Sequence, residues 1–191
     1  DKKPTLRAIY RDFYQKIENA MCDGDILEIG GGIGNLQIDS GCVIKSDIQY
    51  SPELDVVADA QNLPFDNEVF SNIVLFDVLH HLQCPLLFFS EARRVLKPGG
   101  KIIMLEPGIT PVSKIMYKVG HEEPVEMGWD MKDPCKVDVN KDPYDSNQAI
   151  PTILFKRDSK VFIEMVKGFN IDRSDWLSLF AYPLSGGFKS W

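Results

Sequence analysis

Residues 25–36 read DILEIGGGIGNL, in which an apolar run interrupted by Glu28 leads directly into four glycines within five positions. Such a run followed by glycines predicts a buried strand, a tight turn and then a helix. Glycine adopts positive φ without strain, and its missing Cβ lets a ligand lie directly against the backbone. The exposed amides at the start of the following helix would add a site for polar groups. The stretch therefore predicts a ligand-binding turn between a strand and a helix.

Further strands and helices alternate along the chain on both sides of this turn. Apolar residues spaced three and four apart predict a helix over residues 5–21, with Thr5 as its candidate N-cap. Strands are predicted at 25–29, 42–47, 55–59, 70–76 and 101–106, helices at 34–39, 85–96 and 159–167, and a last strand at 169–182. This alternation indicates an α/β fold with a parallel sheet and right-handed crossovers.

Acidic residues stand at or just after the ends of five predicted strands: Glu28, Asp47, Asp59, Asp77 and Glu106. In a parallel sheet these ends share one edge, which is where ligands of such folds bind. Five carboxylates on one edge favour a polar ligand that is cationic or rich in hydroxyl groups. The alternative is that they are ordinary solvated loop acids.

The spacing of the glycines distinguishes among nucleotide-like ligands. The dinucleotide fingerprint G-x-G-x-x-G fails in both registers, because positions 35 and 37 are Asn35 and Gln37. The chain also lacks the G-x-x-x-x-G-K-[ST] phosphate loop. Glu28 disfavours a bare pyrophosphate, since two anions would lie close together. A ligand that carries an amino-acid ammonium group and a sulfonium fits this turn better.

The composition of the 191-residue chain is that of one ordinary globular domain. Its net charge of −7 argues against a general nucleic-acid binder. No apolar run approaches the roughly 18 residues of a transmembrane helix. The charged N-terminus and the four cysteines without a CxxC pair lead us to expect no signal peptide, reduced thiols and a cytoplasmic location. No second histidine lies near His121, so no metal site is expected.

Regular patterning breaks between residues 107 and 152. Prolines recur through this stretch, and aromatic residues and methionines are scattered among charges. A long irregular insertion after a strand is either a lid over the site or a disordered segment. We favour a substrate lid, because the aromatic and methionine side chains offer apolar surface.

Five ordered segments together resemble the class I S-adenosylmethionine-dependent methyltransferases. They are Ile26–Gly34, Ser46–Ile48, Val57–Phe65, Phe70–Leu82 and Arg93–Glu106, and the resemblance extends from about residue 22 to 108, just under half of the chain. Residues 77–82, DVLHHL, are similar to a segment found in the small-molecule members of that family. The resemblance implies a three-layer Rossmann-like sandwich with a mostly parallel sheet of six to seven strands and helices on both faces. It also implies that residues 1–191 form a single domain.

The resemblance implies a role for each matching residue in binding S-adenosylmethionine, which leaves as S-adenosylhomocysteine. The glycine turn would pass under the methionine part of the cofactor, and Glu28 would anchor the turn and the ammonium region. Asp47 would bind the ribose hydroxyls, because a carboxylate offers two acceptors side by side. The other implied cofactor residues are Gly30, Gly31, Gly32 and Gly34 in the turn, Ile48 at the adenine ring, Asp59, Ala60 and Gln61 at the adenine amine, and Phe76, Asp77 and Val78 at the methionine end. Structural alternatives are a turn-capping Glu28, a surface Asp47 and a helix-capping Asp59.

Of the two adjacent histidines, His81 matches the family pattern better and is the candidate catalytic residue. A histidine titrates near neutrality and can remove a substrate proton, but His81 can equally close the pocket floor as a hydrogen-bonded residue. Glu106 and His121 are weaker candidates on the substrate side.

The predicted reaction is methyl transfer by in-line displacement to a small-molecule, sugar or lipid-type acceptor. The segment after the fourth strand, Asp77-Val78, is unlike the Asn/Asp-Pro-Pro-Tyr/Phe type of enzymes that methylate amines in nucleic acids, and no Pro-Cys pair stands at the cytosine-methylating position. Two alternatives stay open: a methyltransferase-like module that binds without catalysing, and a nicotinamide-dependent oxidoreductase. The sequence does not identify the acceptor or the oligomeric state.

Overall fold

The computed structural model describes residues 4–32, 41–110, 113, 124–138 and 140–177. Its strands are β1 (Ile26–Ile29), β2 (Val43–Asp47), β3 (Val56–Val57), β4 (Phe70–Phe76) and β5 (Leu96–Leu105). Its helices are α1 (Pro4–Ala20), α2 (Pro85–Val95) and α3 (Ser159–Met165), with a 3₁₀ turn at Leu79–His81, a short α-helical turn at Ile150–Thr152 and a π-helical stretch at Ile153–Arg157. The predicted helix over 34–39, together with Gly34 and His121, lies outside these residues.

The five strands form one parallel sheet in the order β3-β2-β1-β4-β5. Strand β1 is central, and Glu28 lies opposite Lys45 of β2 and Val74 of β4. Strands β2 and β3 lie on one side of β1, and β4 and β5 lie on the other, so the strand order switches at β1. The glycine turn after β1 therefore lies at the switch point where such folds bind ligands. The predicted α/β fold with Rossmann-like topology is confirmed.

Helices cover both faces of the sheet, as the alternation of side chains along the strands requires. Leu27 of β1 and Ile73 of β4 pack on one face with Phe88 of α2. Their neighbours in sequence, Ile26 and Val74, pack on the other face with Ile17 of α1. The architecture is thus helix, sheet and helix in three layers.

The strand count among the described residues is five, whereas six to seven were predicted. The last predicted strand, 169–182, is wrong over residues 169–177, which form no strand. The run Asp172-Arg173-Ser174-Asp175 explains this, because four consecutive polar residues leave no apolar face to bury. Residues 178–182 lie outside the described part of the chain.

Two predicted strand boundaries also need correction. Strand β5 begins at Leu96 and not at 101, because Leu96 leaves the helix in an extended conformation, is buried and pairs with Phe70. The next pair along this ladder is Asn72 with Lys101, so the residues from Lys97 to Gly100 loop out between the two pairs. Strand β3 is shorter than the predicted 55–59 and keeps two residues.

Cys84 and Cys135 form a disulfide with a Cα–Cα distance of 5.7 Å across 51 residues of sequence. The expectation of reduced thiols is therefore wrong for this pair. Cys22 and Cys42 are free. Sequence spacing does not reveal the bridge, because its partners are brought together only by the path of the irregular segment.

No helix in the described ranges combines the length and the apolar character that crossing a membrane requires.

Candidate functional site

The turn after β1 requires glycine at its first and third positions. Gly30 has φ of +77°, and a Cβ there would overlap Cγ2 of Val78. A Cβ on Gly32 would lie 2.7 Å from Oδ2 of Asp47. The Gly31 amide donates to the Ser46 carbonyl at 3.0 Å, and the Gly32 amide donates to Asp47 Oδ2 at 3.0 Å. The turn is therefore wedged between the ends of β2 and β4.

The carboxylate of Glu28 lies beneath this turn. The residue is 7% exposed, and a Cβ on Gly31 would lie 3.1 Å from Glu28 Oε2. The Ser46 hydroxyl donates to the Glu28 carbonyl at 3.0 Å, which fixes this part of β1 against β2. A buried carboxyl group thus lies at the base of the turn.

Two tyrosines of α1, which the sequence analysis did not select, cover the end of β4. The Tyr10 ring stacks on Phe76 with centroids 5.6 Å apart, and the Tyr14 centroid lies 5.7 Å from the same ring. Burial, helped by the charges of Tyr10, Glu28 and Asp77, raises the pKa of Tyr14 to about 12. The sequence feature that could have pointed to this pair is the spacing of four residues between the two tyrosines, which places them on the same side of the predicted helix.

Tyr14 predicts a pH dependence of stability. Its phenol has a higher pKa in the folded chain than the ordinary value of 10, so the folded state retains the proton where the unfolded state has lost it. This contribution is fully present below pH 10 and is lost as the pH rises from about 10 to about 12. We expect urea midpoints to fall over this range and Tyr14→Phe to make the fall shallower. The exposed Tyr50→Phe serves as the control, and equal slopes in both variants would contradict the assignment.

Asp47, the last residue of β2, and Asp59, two residues after β3, make the same local hydrogen bond. Asp47 Oδ1 accepts the Gln49 amide at 2.9 Å, and Asp59 Oδ1 accepts the Gln61 amide at 2.8 Å. Each carboxylate is thereby oriented by the backbone two residues ahead, as in an Asx-turn. Asp59 is therefore a turn residue, and the alternative of a helix N-cap does not apply. Ile48, next to Asp47, is 53% exposed.

The Asp59 turn is tied to the start of α2 through Gln61. Its Nε2 donates to Asp59 Oδ1 at 3.1 Å, and its Oε1 accepts the Cys84 amide at 2.6 Å. Ala60 between them is 4% exposed. Gln61 thus fixes the segment predicted to meet the adenine amine.

A sharp turn at Asp77 follows β4. Asp77 has φ of +56°, a left-handed conformation unusual for a residue with a side chain, and its amide donates to the Leu105 carbonyl at 2.9 Å. Glu106 Oε1 accepts the amides of Val78 at 3.0 Å and Leu79 at 2.7 Å. Strained backbone of this kind concentrates at functional sites.

Glu106 also binds a histidine, and it is His80. The distance from Glu106 Oε2 to His80 Nδ1 is 2.8 Å, and the two side chains are 6% and 4% exposed. His81, the predicted catalytic residue, is half-buried, and its ring centroid lies 4.2 Å from that of His80. The sequence analysis placed Glu106 on the substrate side but missed its pairing with His80. The adjacency of β4 and β5 was the only signal for it.

The described ranges contain no cluster of three or more His, Cys, Asp or Glu side chains that could hold a metal ion.

Residues 28–104 match the family model of a methyltransferase domain. Over this part of its length the chain is similar to methyltransferase domains, in agreement with the class I methyltransferase resemblance of its sequence. The match begins at Glu28 of β1 and ends within β5. It includes Asp47, Asp59 and the 3₁₀ turn at Leu79–His81. S-adenosylmethionine is the cofactor of this family, in agreement with the expected ligand.

Relatives of the methyltransferase domain cover only part of the chain. An uncharacterised protein of Methanocaldococcus jannaschii is 32% identical over 104 residues, which are 50% of this chain and 51% of that protein. A demethylmenaquinone methyltransferase of Staphylococcus saprophyticus is 41% identical over 66 residues, 34% of this chain and 28% of the enzyme. The solved structure of a Pyrococcus horikoshii protein is 27% identical with a TM-score of 0.46, covering 51% of this chain and 56% of that one. The chain thus spans about half or less of the length of these curated relatives.

Proposed function

We propose that the chain is an S-adenosylmethionine-dependent methyltransferase that acts on a small-molecule, sugar or lipid-type acceptor. The observation that carries this proposal is the position of the glycine turn. Gly30 and Gly32 lie where any Cβ would meet Val78 or Asp47, at the switch point of the sheet. A backbone cradle flanked by a carboxylate on either side suits a ligand with a hydroxyl-bearing sugar at one end and an ammonium group at the other.

Each side of the cradle fits one part of the cofactor. Each carboxylate oxygen of Asp47 accepts one backbone amide and has a second lone pair. Both oxygens can therefore accept a further hydrogen bond, and we assign these two bonds to the ribose hydroxyls. The exposed side chain of Ile48 offers apolar surface to the adenine ring, and Gln61 lies with Asp59 beyond it. Glu28, Asp77 and the Phe76 carbonyl would hold the methionine end, while Gly30, Gly31 and Gly32 pass beneath it.

The cofactor supplies an activated methyl group on a sulfonium. The chain's own task is then to orient the acceptor in line with that methyl group and to exclude water. A base is needed only where the acceptor carries a proton that must leave. His81 is the proposed base, because it follows the cofactor-lining Val78 by three residues and its ring is half-buried beside His80. The staphylococcal relative is named as a demethylmenaquinone methyltransferase, which supports an acceptor of the small-molecule or lipid type.

Calorimetric titration with S-adenosylhomocysteine tests this proposal. We expect saturable binding with one site per chain, and no heat with NADH at the same concentrations. Binding of NADH in place of S-adenosylhomocysteine would support the oxidoreductase and overturn the proposal. Absence of binding by either compound would overturn it as well.

Within the irregular insertion 107–152, we propose that residues 141–147 form a lid strap over the turn. Lys141 Nζ donates to the His81 carbonyl at 3.1 Å, and the Asn147 amide donates to the His80 carbonyl at 2.9 Å. At the other side, the Tyr144 hydroxyl donates to Gln49 Oε1 at 3.1 Å. These contacts join the end of β4 to the end of β2, and β1 with its glycine turn lies between those strands.

The Cys84–Cys135 disulfide anchors the segment that leads into the strap, and its reduction tests the lid. Cross-links of this loop length contribute about 2–4 kcal/mol to the free energy of unfolding. We expect Cys135→Ser to lower stability by that amount and to speed S-adenosylhomocysteine dissociation several-fold in stopped-flow measurements. Cys42→Ser, at an exposed free cysteine, is the control. A dissociation rate unchanged by Cys135→Ser would contradict a lid held by this bridge.

A further inference from the structure

One buried carboxylate, that of Glu106, contacts three groups of the turn that follows β4. It accepts the backbone amides of Val78 and Leu79 with Oε1 and binds His80 Nδ1 with Oε2, at 3.0, 2.7 and 2.8 Å respectively. Its side chain is 6% exposed. The side chain of the residue that follows β5 therefore binds polar groups of three successive residues in the turn after β4.

The turn that Glu106 holds is in direct contact with the glycine turn. Val78 fills the space over Gly30 so closely that a Cβ on Gly30 would overlap its Cγ2. Asp77, just before it, takes a left-handed backbone conformation, which is uncommon for residues other than glycine and persists where the surroundings impose it. The hydrogen bonds that Glu106 accepts from two backbone amides hold the turn in this conformation here. The hydrogen bond from the Asp77 amide to the Leu105 carbonyl does the same.

Glu106 also determines the tautomer of His80. With the Glu106 carboxylate as the acceptor, this contact at 2.8 Å places the proton on Nδ1 of the histidine. The backbone of the same histidine accepts the Asn147 amide from the strap, at 2.9 Å. The carboxylate thus sits where β5, the cofactor turn and the strap meet.

We infer that Glu106 is a positioning residue for the cofactor, acting through the turn at 77–79 and not by touching the cofactor itself. It keeps Val78 seated on Gly30 and Asp77 at the methionine end, and it keeps His80 in the Nδ1–H form beside His81. This inference rests on the proposed function, because it assumes that the cofactor lies on the two turns.

Three variants test the inference through S-adenosylhomocysteine affinity. Glu106→Ala removes both acceptor oxygens and leaves two buried amides without a partner, so we expect a loss of affinity on the order of tenfold or more. Glu106→Asp keeps the charge but is one methylene too short to reach, and a similar loss is expected. Glu106→Gln retains an acceptor for the amides, so its affinity should stay within about threefold of the wild-type value.

Glu106→Gln also gives a spectroscopic signature of the contact between Glu106 and His80. Its amide nitrogen donates to His80, which moves the ring proton from Nδ1 to Nε2, and long-range ¹H–¹⁵N spectra of the histidine side chains report this change. Hydrogen exchange without ligand should be faster at Val78 and Leu79 in Glu106→Ala than in the wild type.

Glu91→Ala is the matched control, because Glu91 is also a carboxylate that accepts a backbone amide, that of Leu63, at 2.9 Å. It should lower stability without changing affinity. Wild-type affinity in folded Glu106→Ala or Glu106→Asp, or an unchanged His80 tautomer in Glu106→Gln, would overturn the inference. If Glu106→Ala does not fold, the aspartate and glutamine variants decide. Failure of the wild type to bind S-adenosylhomocysteine would instead contradict the proposed function.

Discussion

Gly30→Ala is expected to lower the free energy of unfolding by about 2–4 kcal/mol and to weaken S-adenosylhomocysteine binding roughly 100-fold. Two causes act together at this position. The backbone has φ of +77°, which alanine adopts only with strain, and the new methyl group would overlap Val78. Relief of that overlap would move Val78 or the glycine turn, and both lie at the proposed methionine end. Urea denaturation measures the first effect, and calorimetry measures the second.

Gly99→Ala separates backbone strain from contact at Gly30. Gly99 has φ of +81°, close to that of Gly30, but a Cβ there would meet no atom within 4 Å. This control should lose about 1 kcal/mol and keep its cofactor affinity. If Gly30→Ala behaves like Gly99→Ala in both measurements, the turn is not the cradle that we describe.

Asp47→Ala is the second variant with a large expected effect, a roughly 100-fold loss of S-adenosylhomocysteine affinity. The carboxylate would contribute two charge-assisted hydrogen bonds to the ribose, each contributing about 1.5–3 kcal/mol. Its loss also removes the partner of the Gly32 amide, which lies 3.0 Å from Oδ2. Calorimetry at several temperatures would measure the affinity directly.

Asp55→Ala is a matched control for Asp47. Asp55 is also a carboxylate at the β2–β3 pair that accepts a backbone amide, that of Lys45, at 2.8 Å. Its removal should leave cofactor affinity unchanged. An Asp47→Ala affinity within a few-fold of the wild-type value would show that the ribose assignment is wrong.

The parts of the fold that follow from local pattern were predictable. Strand β4 has the predicted bounds, 70–76, because five of its seven residues are apolar and six are buried. The glycine turn was predicted from four glycines after β1, and the structure shows why Gly30 must be glycine. The polar stretch around Arg173, by contrast, lies within a predicted strand, and no strand forms over 169–177.

The missed features depend on which elements become neighbours in space. The His80–Glu106 pair joins residues 26 positions apart and exists because β5 lies beside β4. The Cys84–Cys135 bridge joins residues 51 positions apart through an irregular segment. In the sequence, Tyr10 and Tyr14 are ordinary positions of an amphipathic helix. They reach Phe76 at the end of β4 only because α1 packs against the sheet. No local pattern encodes these neighbours.

The central claim is that the cofactor lies across the carboxyl ends of β1, β2 and β4, and amide chemical shifts on titration with S-adenosylhomocysteine test it most directly. Saturable changes in chemical shift are expected for the amides of Gly30–Gly32, Asp47, Ile48, Asp59–Gln61, Asp77 and Val78. The chemical shifts of the α3 amides should not change, because α3 packs on α2 through Phe162 and Phe89. Saturable shifts that leave out the glycine turn and Asp47, or no shifts at all, would contradict the account.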